Sequence, residues 1–199
     1  MNNVAALYVD AAGVYPRLIG YDRCWTFERD ARTYAGPAPV VAHPPCQLWT
    51  AMCNVNYKRY GGEHNRPGND GGCFASALAN VLRCGGVLEH PALSKAFAAH
   101  GIAKPSRGRW TLSGSEPLLW VTEVSQCAYG HRARKRTWLA YAGKRPPYDL
   151  DWSEPPYTHQ IGHDSKMKRP RPALGKREAC ATPQAFALAL LRLAAWSAG

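Results

Sequence analysis

Short apolar runs recur along the first half of the chain, and each stops at a polar or charged residue. The runs are 4–9, 24–27, 40–42 and 87–88, and the residues that follow them are Asp10, Glu28, His43 and Glu89. Continuous apolar runs of this length are typical of strands that are buried on both faces of a sheet. The pattern therefore predicts four neighbouring strands in a buried sheet.

Segments with helical spacing of apolar residues lie between and after these runs. Helices are expected over 73–84, 94–100 and 182–196, and further strands over 110–112 and 118–124. Strands that alternate with helices predict an α/β fold in which a mainly parallel sheet lies between two helix layers. With 199 residues, 46% of them hydrophobic, the chain is expected to form one compact domain over 1–199.

Two segments lack a regular period. Residues 54–72 are rich in Gly, Asn and basic side chains, so we expect an exposed, basic and mobile loop in the place of a lid. Residues 144–181 are Pro-rich and polar, so we expect an irregular segment before the C-terminal helix.

The charge balance is strongly basic. Lys and Arg number 25 against 14 Asp and Glu, which gives a net charge of +11 and a pI of about 9.5. Such a surplus suits a polyanionic partner, nucleic acid above all, although evenly spread and solvated charges are the alternative. Arg132, Arg134 and Arg136 alternate, so in a strand they would share one face. That face would contact phosphates or base edges, or would protect an edge strand against aggregation.

Cysteine usage indicates a reduced intracellular compartment. The chain has seven Cys, an odd number, and no Cys-x-x-Cys pair, which argues against a disulfide framework and against a structural zinc site. The first residues lack the basic region of a signal peptide, and no apolar run approaches the length of a membrane span. We therefore expect a cytoplasmic protein that holds no metal and contacts no membrane.

Cys46 is the candidate nucleophile. It follows the run 40–42 after Pro44 and Pro45, which end the strand and stiffen the backbone. In open α/β sheets the ligand crevice lies outside the carboxyl ends of the strands, so a thiol at this position is well placed for attack. The alternative is a half-buried structural cysteine. If Cys46 is the nucleophile, Glu28 and Glu89 should converge with it at one edge of the sheet.

Together with the acid Glu28 after the second strand, three segments in register resemble motifs of one enzyme family. They are Pro44-Pro45-Cys46-Gln47, Glu89-His90-Pro91 and Tyr129-Gly130-His131-Arg132-Ala133-Arg134-Lys135-Arg136. With them the chain resembles the DNA (cytosine-5) methyltransferases, in the compact form often encoded by bacteriophages. It departs from the family at 7–13, which replaces the Phe-x-Gly-x-Gly motif, at His43 in place of Gly, and at His90 in place of Asn. The segment 144–181 is also too short for the target-recognition domain of the family.

The resemblance implies a fold, a mechanism and a set of site residues. The fold would be the Rossmann-like methyltransferase fold. The Cys46 thiolate, favoured by a local positive field, would add to C6 of a pyrimidine, and Glu89 in its protonated form would hold the ring edge at N3. Arg134 and Arg136 would hold the base carbonyl or a flanking phosphate. S-adenosylmethionine would be bound by Asp10, Gly13, Glu28 and Asp30. DNA would be contacted by Gln47, Lys58, Arg59, Arg66 and Arg132.

Two alternatives remain open on the sequence. One is the same cysteine chemistry on a modified base or a free pyrimidine nucleotide, with a donor other than S-adenosylmethionine. The other is a non-catalytic DNA-binding protein that masks DNA from restriction. A separate partner or a homo-oligomer is a candidate source of DNA recognition, and a bacteriophage protein of this kind would work in the cytoplasm of its bacterial host.

Overall fold

One mixed sheet of seven strands forms the centre of the fold. The structure is a computed structural model, and it describes residues 3–26, 28–50, 52–114, 118–162 and 171–199. The strands are β1 (Ala5–Leu7), β2 (Cys24–Trp25), β3 (Val40–Ala42), β4 (Gly86–Pro91), β5 (Thr111–Gly114), β6 (Leu119–Ser125) and β7 (Arg136–Ala142). Their order across the sheet is β2-β1-β3-β4-β7-β6-β5.

The parallel half of the sheet consists of β2, β1, β3 and β4. Each of the three neighbouring pairs among them is parallel, so the predicted adjacency of the four apolar runs is confirmed. Gly86 allows the backbone of β4 to lie close to that of β3. Its φ is +122°, and a Cβ at this position would lie 2.0 Å from the carbonyl oxygen of Val40. A side chain at Gly86 would therefore separate β3 from β4.

The other half of the sheet is antiparallel, because β7 pairs with β4 and with β6, and β6 pairs with β5. The prediction of a mainly parallel sheet is therefore wrong: three of the six strand pairs are parallel and three are antiparallel. The connections explain the difference. Only residues 126–135 join β6 to β7, whereas a parallel pair needs a longer crossover.

Helices lie on both sides of the sheet. They are α1 (Val14–Ile19), α2 (Cys53–Tyr60), α3 (Cys73–Cys84), α4 (Lys95–Ala99), α5 (Lys176–Cys180) and α6 (Gln184–Ser197). Residues of α3 and α4 share one buried cluster with Leu7 and Ala42, and residues of α1 and α6 share the other with Ala6 and Val41. Alternate strand residues thus face opposite helix layers, which explains why the runs are apolar throughout.

The segment 54–72 is not the irregular loop that its composition predicted. Most of α2 falls within it, and a 3-10 turn follows at Glu63–Asn65. Gly61, with a φ of +63°, ends α2 by donating its amide to the carbonyl oxygen of Tyr57. Only Cys53 is buried in α2, so the sequence shows no apolar stripe from which the helix could be recognised.

The alternating arginines do not share a strand face, contrary to the prediction. β7 begins at Arg136, and the preceding residues are irregular. Lys135 has a φ of +36°, a conformation that interrupts extended backbone and that is rare for residues other than glycine. Arg132 and Arg134 therefore precede β7 and are not part of one strand with Arg136.

The C-terminal part has the composition of a membrane span. Lys176–Ser197 is long and apolar enough to cross a bilayer, although no such segment was expected from the sequence. In the fold this stretch contains α5 and α6, and α6 buries Phe186, Leu190 and Leu193 against the sheet. A core helix passes the same composition test, so one such segment is only weak evidence for a membrane span.

Candidate functional site

A cleft of about 1110 Å³ opens at the carboxyl ends of the parallel strands. Its walls include the residues after β1, β3 and β4, the segment that enters β7, part of the Pro-rich segment and the end of α5. The predicted site residues that line it are Asp10, Gly13, Cys46, Gln47, Glu89, Arg134 and Arg136. The sheet therefore brings the candidate nucleophile and the candidate acid into one cavity.

The loop that carries Cys46 is tied to its surroundings by backbone and side-chain contacts. The amide of His43 donates to the carbonyl oxygen of Leu7 at 3.0 Å, and the amide of Trp49 donates to that of Cys46 at 2.9 Å. His90 is buried below the loop, with its Nδ1 2.7 Å from the Ser94 hydroxyl. Burial lowers the pKa of His90 to about 4, so this ring is neutral near pH 7.

Cys46 is a protonated thiol in the free protein. Burial, and then the charge of Glu89, raise the pKa of Cys46 to about 11, against a smaller opposing effect of Lys135. The expectation that a positive field favours the thiolate is therefore wrong for the unliganded cleft. The main physical reason is burial of the sulfur, and the charge of Glu89 adds to it more than the charge of Lys135 opposes it.

Glu89 carries a negative charge in the free protein, which also differs from the expected protonated acid. Burial by itself would raise the pKa of Glu89, but the hydrogen bond and the charge of His43 outweigh it and lower the pKa overall. Nδ1 of His43 lies 2.8 Å from Oε2 of Glu89, and Gln126 donates to Oε1 at 3.3 Å. Both carboxylate oxygens thus have partners.

The hydrogen-bonded chain continues from His43 to Tyr15 on α1. The Tyr15 hydroxyl lies 2.7 Å from Nε2 of His43. Burial raises the pKa of Tyr15 well above its ordinary value, so the phenol keeps its proton. The sequence pointed to His43 only as a departure from the family motif, and it contained no signal for Tyr15, because their contact spans 28 positions.

The three arginines of the family-like motif are engaged with carboxylates. Arg136 donates to both carboxylate oxygens of Glu123 at 2.7 and 2.8 Å. Arg134 pairs with Glu154 at 2.6 Å, and Arg132 with Glu178 at 2.7 Å. Glu123 is only 3% exposed, and such a buried carboxylate needs its guanidinium partner. Each of the three guanidinium groups is therefore already paired with a carboxylate of the protein itself.

Lys135 is the cation that the motif did not single out. It is half-buried, it lines the cleft, and its Nζ donates to the carbonyl oxygens of Cys180 and Ala181 at 3.1 and 2.8 Å. No ion pair among the described residues includes Lys135. Its charge favours the ionised forms of both Cys46 and Glu89. Lys135 is thus the cation best placed to act on the nucleophile.

The proposed cofactor residues are only partly brought together. Asp10 and Gly13 form a tight turn at the cleft, where a Cβ on residue 13 would lie 2.9 Å from the Asp10 carbonyl oxygen. Glu28 instead accepts a hydrogen bond from Tyr21, Asp30 pairs with Arg32, and neither acid lines the cleft. Of the four residues predicted to bind S-adenosylmethionine, two therefore line the cleft and two lie outside it.

The residues predicted to contact DNA lie on two surfaces. Gln47 lines the cleft, whereas Lys58 and Arg59 are exposed on α2. Arg66 pairs with Glu63 at 3.4 Å on the surface. In the described parts of the chain, no three His, Cys, Asp or Glu side chains are grouped so that they could hold a metal ion.

Comparisons with protein-family models, with curated proteins and with solved structures found no match for this chain. The function is therefore inferred from the geometry of the cleft and from the motif resemblance.

Proposed function

We propose that this protein is a DNA pyrimidine C5-modifying enzyme, related in mechanism and in a Rossmann-like fold to the cytosine-5 methyltransferases. One observation carries the proposal: Cys46 and Glu89 follow or end adjacent parallel strands and line the same cleft. A nucleophile and an acid at neighbouring strand ends are the two groups that addition to a pyrimidine ring needs.

The reaction begins with addition of the Cys46 thiolate to C6 of the base. The S–C6 bond forms, the C5=C6 π bond opens, and its electron pair makes C5 nucleophilic while charge develops at N3. C5 then takes an electrophilic one-carbon group from a donor. Water takes the C5 proton, and cleavage of the S–C6 bond then restores the double bond and releases the thiolate. Glu89 holds the ring edge at N3 and the exocyclic amino group.

Substrate binding supplies the activation that the free thiol lacks. Burial and, after it, the charge of Glu89 raise the pKa of Cys46 in the free protein, and a base whose amino group donates to Glu89 offsets the second of these causes. Lys135 then acts on the sulfur with less opposition. This arrangement keeps the thiol unreactive until a pyrimidine is in place, which protects it from oxidation and from wrong electrophiles.

The exposed surface of α2 suits a nucleic acid. Lys58, Arg59, Tyr57 and Tyr60 are exposed on α2, and the net charge of the chain is +11. Exposed aromatic rings next to basic groups bind unstacked bases and phosphates. A target base in duplex DNA would have to be rotated out of the helix to reach Cys46.

S-adenosylmethionine is the donor that the resemblance implies, and isothermal titration tests it directly. Glu28 and Asp30, which were expected to bind this donor, lie outside the cleft. Their position favours a second candidate, in which the same cysteine chemistry uses another donor or acts on a free pyrimidine nucleotide. Incubating the protein with deoxycytidine monophosphate and with an oligonucleotide, each with and without S-adenosylmethionine, separates the two.

Nucleoside mass spectrometry of DNA from expressing cells tests the proposed function. Wild-type protein should yield a C5-modified pyrimidine that is missing from cells expressing Cys46→Ser and present in cells expressing Cys73→Ser, a matched control outside the cleft. Unmodified DNA and nucleotide pools in the wild-type cells, together with intact DNA binding, would instead support a non-catalytic protein that masks DNA from restriction.

A further inference from the structure

A buried chain of hydrogen bonds leads from the interior to the acid in the cleft. The Tyr15 hydroxyl lies 2.7 Å from Nε2 of His43, and Nδ1 of His43 lies 2.8 Å from Oε2 of Glu89. Tyr15 is 3% exposed, and the side chains of His43 and Glu89 are each 13% exposed. Each contact joins a different pair of elements, namely α1 with the loop after β3, and that loop with β4.

This series of hydrogen bonds ends at Glu89, the residue that holds N3 of the base, where negative charge develops in the proposed reaction. Glu89 lines the cleft, and its other oxygen, Oε1, accepts from Gln126, which is fixed in turn by the Thr137 hydroxyl at 2.9 Å. A buried ionic group seldom adds stability over an apolar replacement. The hydrogen bonds from Tyr15 through His43 to Glu89 are therefore better explained by a role in the reaction than by a contribution to stability.

The proposed reaction needs a proton at this carboxylate. When sulfur adds to C6, the displaced electron pair reaches N3, and a proton delivered there neutralises it. The network around Glu89 keeps its carboxylate ionised in the free protein. Glu89 consequently has no proton of its own to give, and the group in contact with it must supply one.

We propose that His43, oriented by Tyr15, is the proton reservoir of Glu89, an inference that rests on the proposed function. As the S–C6 bond forms, the His43 ring, which starts with a proton on each nitrogen, gives its Nδ1 proton to Oε2 of Glu89, and the carboxyl group passes this same proton to N3 of the cytosine. His43 is left neutral, with its Nε2–H donating to the Tyr15 oxygen. When the S–C6 bond breaks, N3 returns its proton to Glu89 and Glu89 returns one to His43, so the relay is reset.

His43 and Tyr15 are positioning residues in this scheme, because neither touches the base. Their role differs from packing in one respect: the reaction requires a transferable proton at residue 43. A glutamine at this position keeps an N–H that can donate to Glu89, but it carries no proton that can be passed on. Imidazole from solution can replace the missing ring only if the ring serves as a proton carrier.

The test uses an early step that needs no donor. A cytosine oligonucleotide is incubated with the full-length protein in D₂O, and exchange of the C5 hydrogen for deuterium is followed by mass spectrometry. We expect His43→Gln to bind the oligonucleotide as tightly as wild type while exchange slows by roughly 100-fold, the scale of general acid catalysis. Tyr15→Phe should slow exchange less, and added imidazole should restore exchange in His43→Gly.

The outcomes separate the relay from the proposed function. No exchange by the wild-type protein overturns both. Wild-type exchange with an equal rate in His43→Gln overturns the relay and leaves the function standing. If His43→Gly melts at a lower temperature, His43→Gln provides the rate comparison. Slow exchange in His43→Gly that imidazole does not restore, in a variant that melts like wild type, also overturns the relay.

Discussion

Nδ1 of His43 lies 2.8 Å from Oε2 of Glu89, and the register of two strands produces this contact. Ala42 of β3 pairs with Leu88 of β4, so the next residue of each chain segment stands beside the other. The contact joins the loop that carries Cys46 to the strand that carries the acid. A change in either residue is therefore expected to affect the other and the nearby nucleophile.

Replacing Glu89 by Gln should lower the pKa of Cys46, because the Glu89 charge is the second cause that raises it above its ordinary value. Alkylation of Cys46 by iodoacetamide, quantified for its own peptide across a pH series, measures this shift. The same variant should lose turnover, since the amide cannot shuttle a proton. Glu28→Gln, outside the cleft, is the control, and an unchanged alkylation profile in Glu89→Gln would contradict the assigned geometry.

Replacing Lys135 by Met should change Cys46 in the opposite direction. The Lys135 charge favours the thiolate, so its removal should raise the pKa of Cys46 further and slow alkylation at any pH below that value. Lys104→Met removes an equal charge from an exposed position and should leave alkylation unchanged. Equal rates in Lys135→Met and wild type would show that the lysine only supports the backbone at Cys180 and Ala181.

Acid should weaken the ion-pair cluster that Glu123 and Glu154 form with Arg107, Arg134 and Arg136. Hydrogen bonds from Arg107, Ser125 and Arg134 outweigh burial and lower the pKa of Glu154 to about 2, and Arg136 and Trp138 lower the pKa of Glu123 in the same way. A carboxyl group with a depressed folded pKa stabilises the protein above its unfolded pKa, about 4.3, and this contribution disappears as the pH falls through the folded pKa.

The variant Glu123→Gln isolates this effect. At pH 7 its unfolding free energy should fall by about 1–3 kcal/mol, less than for a fully buried pair, because Arg136 is partly exposed. As the pH falls below the unfolded pKa of glutamate, its melting temperature should also fall less steeply than that of wild type. Glu63→Gln, on the surface, serves as the control. Parallel pH profiles for Glu123→Gln and wild type would refute the ion-pair account.

DNA binding should depend on α2 and on salt. Removing Lys58 and Arg59 together should flatten the plot of log affinity against log salt by about 0.9 for each phosphate that the protein no longer neutralises. Fluorescence anisotropy with a labelled oligonucleotide measures the slope. Lys104→Ala with Lys144→Ala removes the same charge elsewhere on the surface. An equally flattened slope in both double variants would indicate a diffuse charge effect and not direct binding of phosphates by α2.

The sequence predicted those features that depend on residues close together along the chain. The apolar runs predicted the adjacency of β1, β2, β3 and β4, and Pro44 and Pro45 marked the loop that presents Cys46. The antiparallel half of the sheet was missed because strand direction follows from the lengths of connections, here 126–135, which the apolar pattern does not report.

The polar contacts around the cleft could not be predicted from the sequence, because their partners are far apart along the chain. The contact of Tyr15 with His43 and that of Arg134 with Glu154 join residues 28 and 20 positions apart, and no spacing rule predicts such pairs. The motif drew attention to the arginines on either side of Lys135, although both hold glutamates in the structure. The left-handed backbone at Lys135 turns its side chain towards the bend at Cys180 and Ala181, and that conformation has no signature in composition.

Exchange of the C5 hydrogen of cytosine in D₂O, compared between wild type and Cys46→Ser, tests the central claim most directly, because it needs no donor. The hydroxyl of serine occupies nearly the same space but is barely ionised near neutral pH. Wild type, Cys73→Ser and Cys127→Ser should exchange at similar rates on an oligonucleotide or on deoxycytidine monophosphate. Cys46→Ser should show no exchange at an unchanged melting temperature. Exchange at the wild-type rate in Cys46→Ser, or none in the wild-type protein on either substrate, would contradict the proposed role of Cys46.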